Sequence, residues 1–200
     1  MKIGIIRESK LPPDMRVPFS PEQCMFVNDT FLDLEMVVQP SPIRCFRDEE
    51  YTTSGVKLQE DLSDCDVLMG VKEVSTDLLI PGKTYFFFSH TIKKQPHNRK
   101  LLQEIVKKRI RLVDYETLTD RSGQRIIGFG RFAGLVGAYN GIRAYGIKHH
   151  LFELKPAWTC VSVKEMKEQI LGVRLPAMKI TVTGGGRVAT GVMELFTEMG

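Results

Sequence analysis

"KITVTGGGRVATGVMELF", residues 179–196, is a β-type run, a glycine turn and a helical run in immediate succession. Gly184, Gly186 and Ala189 satisfy G-x-G-x-x-G/A, and Gly191 follows two residues later. Each position answers a demand of dinucleotide binding. Gly184 permits the tight turn, Gly186 lets the backbone approach a pyrophosphate that any Cβ would strike, and Ala189 lets helix and strand pack closely. The helix opening at Arg187 and Val188 offers unpaired N–H groups and the positive end of its dipole to phosphates. A structural tight turn is the alternative, but a strand before and a helix after the glycines favour a nucleotide. The expected cofactor is NAD or NADP, held by Gly184, Gly186, Arg187, Val188, Ala189 and Gly191. The acidic residue that would meet the ribose belongs about 20 positions further on. That is past Gly200, so the dinucleotide domain is expected to be incomplete here, and NAD is not distinguished from NADP.

Upstream, short β-type runs recur: "KIGIIR" (2–7), "EMVVQP" (35–40), "DVLMGVK" (66–72), "TYFFFSH" (84–90) and "RLVDYE" (111–116). They are largely continuous rather than alternating, as in strands covered on both faces. Helical segments lie between most of them. Ser20 with Pro21 and Glu22–Gln23 reads as a helix start. "NRKLLQEIVKKR" places Leu101, Leu102, Ile105 and Val106 on one stripe. Strands alternating with helices imply a mostly parallel sheet with helices on both faces. From about residue 128 small residues recur at helical spacing: Gly130, Ala133, Gly134, Gly137, Ala138 and Gly141. Glycine inside a helix costs ~1 kcal/mol against alanine, so this helix must gain from close backbone approach. A further short helix is expected from about Ser162. The fold class is therefore α/β: a Rossmann-like parallel-sheet domain and the start of a second, dinucleotide-binding Rossmann domain. The expected boundaries are 1–130 for a substrate and catalytic domain, 131–178 for an interdomain helix and connection, and 179–200 for the start of the NAD(P) domain.

Composition narrows the function classes. A 200-residue chain with 42% hydrophobic and 26% charged residues and a net charge of +4 is globular. Its charge is spread, which speaks against a nucleic-acid partner. No apolar run reaches the ~20 residues of a membrane span. Cys24, Cys45, Cys65 and Cys160 form no Cys-x-x-Cys pair and no zinc spacing, so free thiols and no metal are expected. "MKIGIIRESK" has no signal-peptide character. A cytoplasmic location is expected; the mitochondrial matrix would require a transit peptide outside these residues.

In doubly wound sheets, ligands collect outside the carboxyl ends of the strands. Here those ends carry charge repeatedly. The first gives Arg7 and Glu8, with Lys10 and Arg16 in the loop after it; Pro12 and Pro13 predict that this loop is stiff. The third gives Lys72 and Glu73, the fourth His90 and Lys93, and the fifth Asp114 and Glu116, with Arg125 shortly after. Singly, each has an ordinary reading: a satisfied histidine, an exposed Lys72–Glu73 pair, a solvated Lys93, a loop arginine. His97, His149 and His150 read as surface residues. The convergence raises the functional reading.

These residues also resemble a known superfamily. "IGIIRESK…MRVPFSPEQ", "GVKEV", "YFFFSHTIKKQ", "LVDYETLTDRSGQRIIGFGRFAGLVGA" and "ITVTGGGRVATG" are similar to the alanine dehydrogenase and transhydrogenase N-terminal superfamily. The closest likeness is to lysine-forming saccharopine dehydrogenases and to the lysine–ketoglutarate reductase half of aminoadipic semialdehyde synthases. The resemblance implies that Lys72 and His90 are catalytic, and that Lys10, Arg16, Lys93, Glu116 and Arg125 surround the substrate. It implies an NAD(P)-dependent reaction joining the lysine ε-amine to 2-oxoglutarate through an imine, reduced to saccharopine, or the reverse. The substrates are thus an amino acid and a 2-oxo acid, and fusion to or association with further domains is expected. Alanine dehydrogenase-like reductive amination and a non-catalytic member of the fold are the alternatives.

Overall fold

The computed structural model describes residues 1–12 and 14–199. The stiffness expected of Pro13 and the last residue of the 179–200 segment, Gly200, lie outside them. The chain divides into two compact units, Met1–Gly128 and Phe129–Gly200.

The first unit is built on a six-stranded, all-parallel sheet. Its strands are β1 (Lys2–Ile5), β2 (Glu35–Val38), β3 (Lys57–Leu58), β4 (Val67–Lys72), β5 (Thr84–Phe88) and β6 (Arg111–Asp114), in the order β3-β2-β1-β4-β5-β6. Order reverses between β1 and β4, the switch point where such sheets open a crevice. Helices α1 (Pro21–Thr30), α2 (Asp48–Thr53) and α3 (Arg99–Lys107) complete this unit. Alternate residues of one strand enter different cores, as strand pleating requires. Val37 joins Leu68, Tyr85 and Phe87 beneath Leu101 and Ile105 of α3. Met36 and Val38 join Ile5, Cys24 of α1 and Tyr51 of α2. Both faces of the sheet are therefore covered by helices. The phenylalanine run divides the same way: Phe87 enters the α3 core, while Phe88 packs with Val71 and Tyr115.

Ser20 caps α1 as expected, with its hydroxyl accepting from Gln23 N and the Gln23 side chain accepting from Ser20 N. The α3 stripe is narrower than expected. Leu101 and Ile105 are buried, whereas Leu102 and Val106 are exposed, because those two point away from the sheet. Neither β3 nor α2 was expected; β3 is two residues long and α2 lies in the charged run "RDEEYTT".

The second unit holds α4 (Gly130–His149), α5 (Val163–Ile170) and α6 (Arg187–Met199). Ser162 caps α5 by accepting from Glu165 N. Two α4 glycines meet α6. A Cβ at Gly134 would fall 2.0 Å from the Val188 carbonyl oxygen, and one at Gly130 would fall 2.8 Å from Arg187 Cβ. Gly137 and Gly141 instead border an open apolar groove of about 450 Å³ with Ile180, Val182 and Phe196. "KITVT" (179–183) is not a strand: it is irregular backbone with no ladder partner among the described residues. The apolar pattern alone cannot make β-structure, which exists only between paired strands.

Candidate active site

The carboxyl end of β4 carries two residues of interest. Lys72 is half-buried and ends the strand. Glu73 does not pair with Lys72 as the sequence suggested, since neighbours on an extended chain point to opposite sides. Its carboxylate takes the Lys10 ammonium on one oxygen, and its other oxygen lies 3.7 Å from His90 Nδ1. Burial opposes the charge of Glu73, but Lys10 and the field of His90 outweigh it and hold the carboxyl below its ordinary range.

His90 follows β5 with φ of 55°, the left-handed region. A non-glycine residue there is held by its surroundings. Buried Ser89 donates to Asp114 Oδ2, and Ser89 Oγ also accepts from Thr91 N at 3.1 Å and shares a 2.7 Å contact with Thr91 Oγ1. The Asn98 side chain donates to His90 O at 3.4 Å. The other Asp114 oxygen accepts from Glu116 N at 2.9 Å. Buried Asp114 thus ties the turn bearing His90 to the turn bearing Glu116.

Glu116 accepts from Lys93 at 3.1 Å and from Arg125 at 2.9 Å, and Arg125 Nε also donates to Glu116 O at 3.0 Å. The side chain of Glu116 is only 5% exposed. Burial works against its charge, yet Lys93, Arg125 and nearby His90 hold its carboxyl below the usual value. One oxygen of each acid, Glu73 Oε2 and Glu116 Oε2, is buried without a hydrogen-bond partner among the described residues.

The loop after β1 supplies the remaining groups. Arg16 grips Asp14 at 2.8 and 2.5 Å, and this bond, with Lys72 nearby, keeps the Asp14 carboxyl low. Glu8 accepts from the backbone N–H groups of Val71 and Lys72 at 2.6 and 2.9 Å. Arg7 turns away, to Glu60 and Pro40 O. Lys10 and His90 thus gather on Glu73, Lys93 and Arg125 gather on Glu116, Asp114 links the turns that bear His90 and Glu116, and Arg16 and Lys72 gather around Asp14 and Glu8. Asp14 was not singled out from the sequence, and Glu73 and Asp114 were noted there only among the charges at strand ends, without a role. Their signal is acidity beside basic residues at strand ends. His97, His149 and His150 are exposed, as expected. Among the described residues, no three metal-ligating side chains cluster and no helix is long and apolar enough to cross a membrane.

The glycine turn sits in the second unit. Gly184 has φ of +86°, which a side chain rarely tolerates, and Cβ atoms at Gly185 and Gly186 would meet nothing within 4 Å among the described residues beyond their chain neighbours. The turn is exposed and leads into α6, whose first residues are Arg187, Val188 and Ala189. A turn whose bareness no protein contact explains fits a dinucleotide pyrophosphate. At Gly191 a Cβ would lie 2.0 Å from the Arg131 carbonyl oxygen, so the absence of a side chain there allows the close α4–α6 contact.

Residues 4–136 match the family described as Alanine dehydrogenase/PNT, N-terminal domain. The chain is 34% identical over 216 positions to alpha-aminoadipic semialdehyde synthase, mitochondrial, of Bos taurus, covering 98% of this chain and 23% of that protein. It is 28% identical to saccharopine dehydrogenase [NAD(+), L-lysine-forming] of Emericella nidulans, covering 100% of this chain and 57% of that one. It thus spans only part of the curated relatives it matches. In fold it is similar to an L-alanine dehydrogenase, with a TM-score of 0.68 at 17% identity over 100% of this chain and 53% of the other. The transhydrogenase from Sinorhizobium meliloti superposes on 72% of this chain and 44% of its own, with a TM-score of 0.58 at 19% identity.

Proposed function

The chain belongs to the alanine dehydrogenase/PNT N-terminal domain family, and on that premise we propose that it is part of an NAD(P)-dependent oxidoreductase interconverting lysine plus 2-oxoglutarate and saccharopine. The observation that carries this reading is the pair of buried carboxylate oxygens, Glu73 Oε2 and Glu116 Oε2, that have no hydrogen-bond partner among the described residues and are set among Lys10, His90, Lys93 and Arg125. A buried acceptor without a donor costs roughly 1–3 kcal/mol. A substrate ammonium relieves that cost, and the surrounding cations suit the substrate carboxylates. The likeness to proteins named for aminoadipic semialdehyde synthesis and lysine-forming saccharopine oxidation supports lysine as the amine.

Each residue then has a task. Arg16 and Arg125 bind substrate carboxylates as planar forks, with Lys10 and Lys93 adding positive field. Glu116 receives the amino-acid ammonium. As the amine nitrogen bonds to the ketone carbon, Lys72 stabilises the charge that develops on the ketone oxygen. His90 carries the two protons released from nitrogen, one after the other, to the ketone oxygen, which becomes a hydroxyl and then leaves as water while the neutral imine forms. A nicotinamide held at the Gly184–Ala189 turn would supply the hydride. Cytoplasmic residence and fusion to further domains belong to the same proposal. The test is a coupled assay of reduced nicotinamide consumption with lysine and 2-oxoglutarate, against ammonia and pyruvate. Preference for ammonia and pyruvate would instead support the alanine dehydrogenase-like reading.

A further inference from the structure

We propose that Glu8 is a positioning residue that holds the strand end bearing Lys72 through two adjacent backbone N–H groups. The proposal rests on the reading of Lys72 as the group at the ketone oxygen. It starts from an irregularity in β4. The β4–β5 register runs Met69 opposite Phe86 but Lys72 opposite Phe88, so β4 spends one residue more than β5 over the same span. Such a bulge disturbs the ladder and leaves a residue there unpaired. On the other side, the β1–β4 pairing ends at Ile5 and Met69, with one further bond from Ile6 N to Met69 O at 3.0 Å.

Glu8 fills the gap left by both strands. One carboxylate oxygen accepts from Val71 N at 2.6 Å and the other from Lys72 N at 2.9 Å. Gly70 provides the room: a Cβ there would lie 2.8 Å from Ile6 Cδ1 and 3.3 Å from Glu8 Oε1. Burial raises the carboxyl above its ordinary range, and the two amides partly offset this; Asp14 and Arg16 are the charged groups facing it. With both oxygens committed to backbone, Glu8 is poorly placed to shuttle protons. Its effect passes through the backbone of Lys72, and bulges next to active sites commonly re-aim a side chain in this way.

The test uses Glu8→Gln, an isosteric change that keeps one acceptor but turns an NH₂ donor toward the other amide. Gly70→Ala crowds the same seat without removing the carboxylate. Amide exchange is read at Val71 and Lys72, with Leu68 and Phe87 as internal controls, together with kcat, KM and the pH profile of the lysine and 2-oxoglutarate reaction. We expect exchange at Val71 and Lys72 to quicken roughly 10- to 100-fold while the controls hold. Turnover should fall by about tenfold or more through misplacement of Lys72, with both KM values within about twofold and the pH profile unmoved. Unchanged exchange at both amides in both variants overturns the proposal. So does quickened exchange with full turnover, or a loss of turnover that merely follows the loss of folded protein. If the wild-type protein does not use lysine and 2-oxoglutarate, the proposed reaction fails, and the exchange result still decides whether Glu8 holds this strand end.

Discussion

Alanine at Gly134 sets two opposing effects against each other within one helix. Removing a glycine from a helix interior favours folding by ~1 kcal/mol. At Gly134, however, the new Cβ would sit 2.0 Å from the Val188 carbonyl oxygen, 2.9 Å from Val192 N and 3.0 Å from Val188 C. All three are backbone atoms of α6, so no side chain can swing aside and the helix itself must retreat by about 1 Å or more. Overpacking of this kind costs ~1–3 kcal/mol, and a rigid backbone obstacle places Gly134 at the upper end, leaving a net loss of about 2 kcal/mol. At Gly137, one turn along, a Cβ would meet nothing within 4 Å among the described residues outside its own helix turn, so Gly137→Ala retains the full helix gain. At ~2–4 °C per kcal/mol for a chain of this size, calorimetry should find Gly134→Ala melting about 6 °C below wild type and Gly137→Ala about 3 °C above it. Gly191→Ala should follow Gly134→Ala, since its Cβ would lie 2.0 Å from Arg131 O. Gly134→Ala as stable as wild type, or both α4 variants shifting in the same direction, would refute the reasoning.

Three further outcomes are expected. His90→Ala should lower turnover by about 10²–10⁴-fold while changing affinity little; full turnover from pH 6 to 9 in that variant would remove His90 from the chemistry. Arg16→Ala should chiefly raise KM for 2-oxoglutarate, and an unaltered KM would count against its role at the carboxylate. Glu194 is held at about 2 by Arg131 and Lys167, below its unfolded value of about 4.3. Its contribution is therefore fully present above pH ~4.3 and fades as pH falls toward the folded value. Acid unfolding of Glu194→Gln should show a shallower loss over that window, and identical pH dependence in the two proteins would contradict the assignment.

Much of the fold was legible because parallel strands buried on both faces leave continuous apolar runs; β1, β2, β4, β5 and β6 each fall inside one. Ser20 and Ser162 were legible as caps because their chemistry is local. The misses are non-local. β3 is a strand only by virtue of β2 beside it, and "KITVT" has the right composition but no described neighbour to pair with. That a Cβ at Gly191 would meet Arg131 and Leu135, distant in sequence, was likewise not legible from the motif spacing. At the site, the residue types could be read, but their pairings could not. Glu73 serves Lys10 and His90 rather than the adjacent Lys72. Glu8 and Asp114 act through bonds to backbone N–H groups, which a reading of charged side chains does not reveal.

The most direct test of the account is the oxidation rate of reduced nicotinamide with lysine and 2-oxoglutarate supplied together, compared with each alone and with ammonia plus pyruvate. The account predicts turnover only when lysine and 2-oxoglutarate are both present, with loss of that turnover in Lys72→Met and His90→Ala. Turnover that is indifferent to lysine, or that survives in both variants, would contradict it.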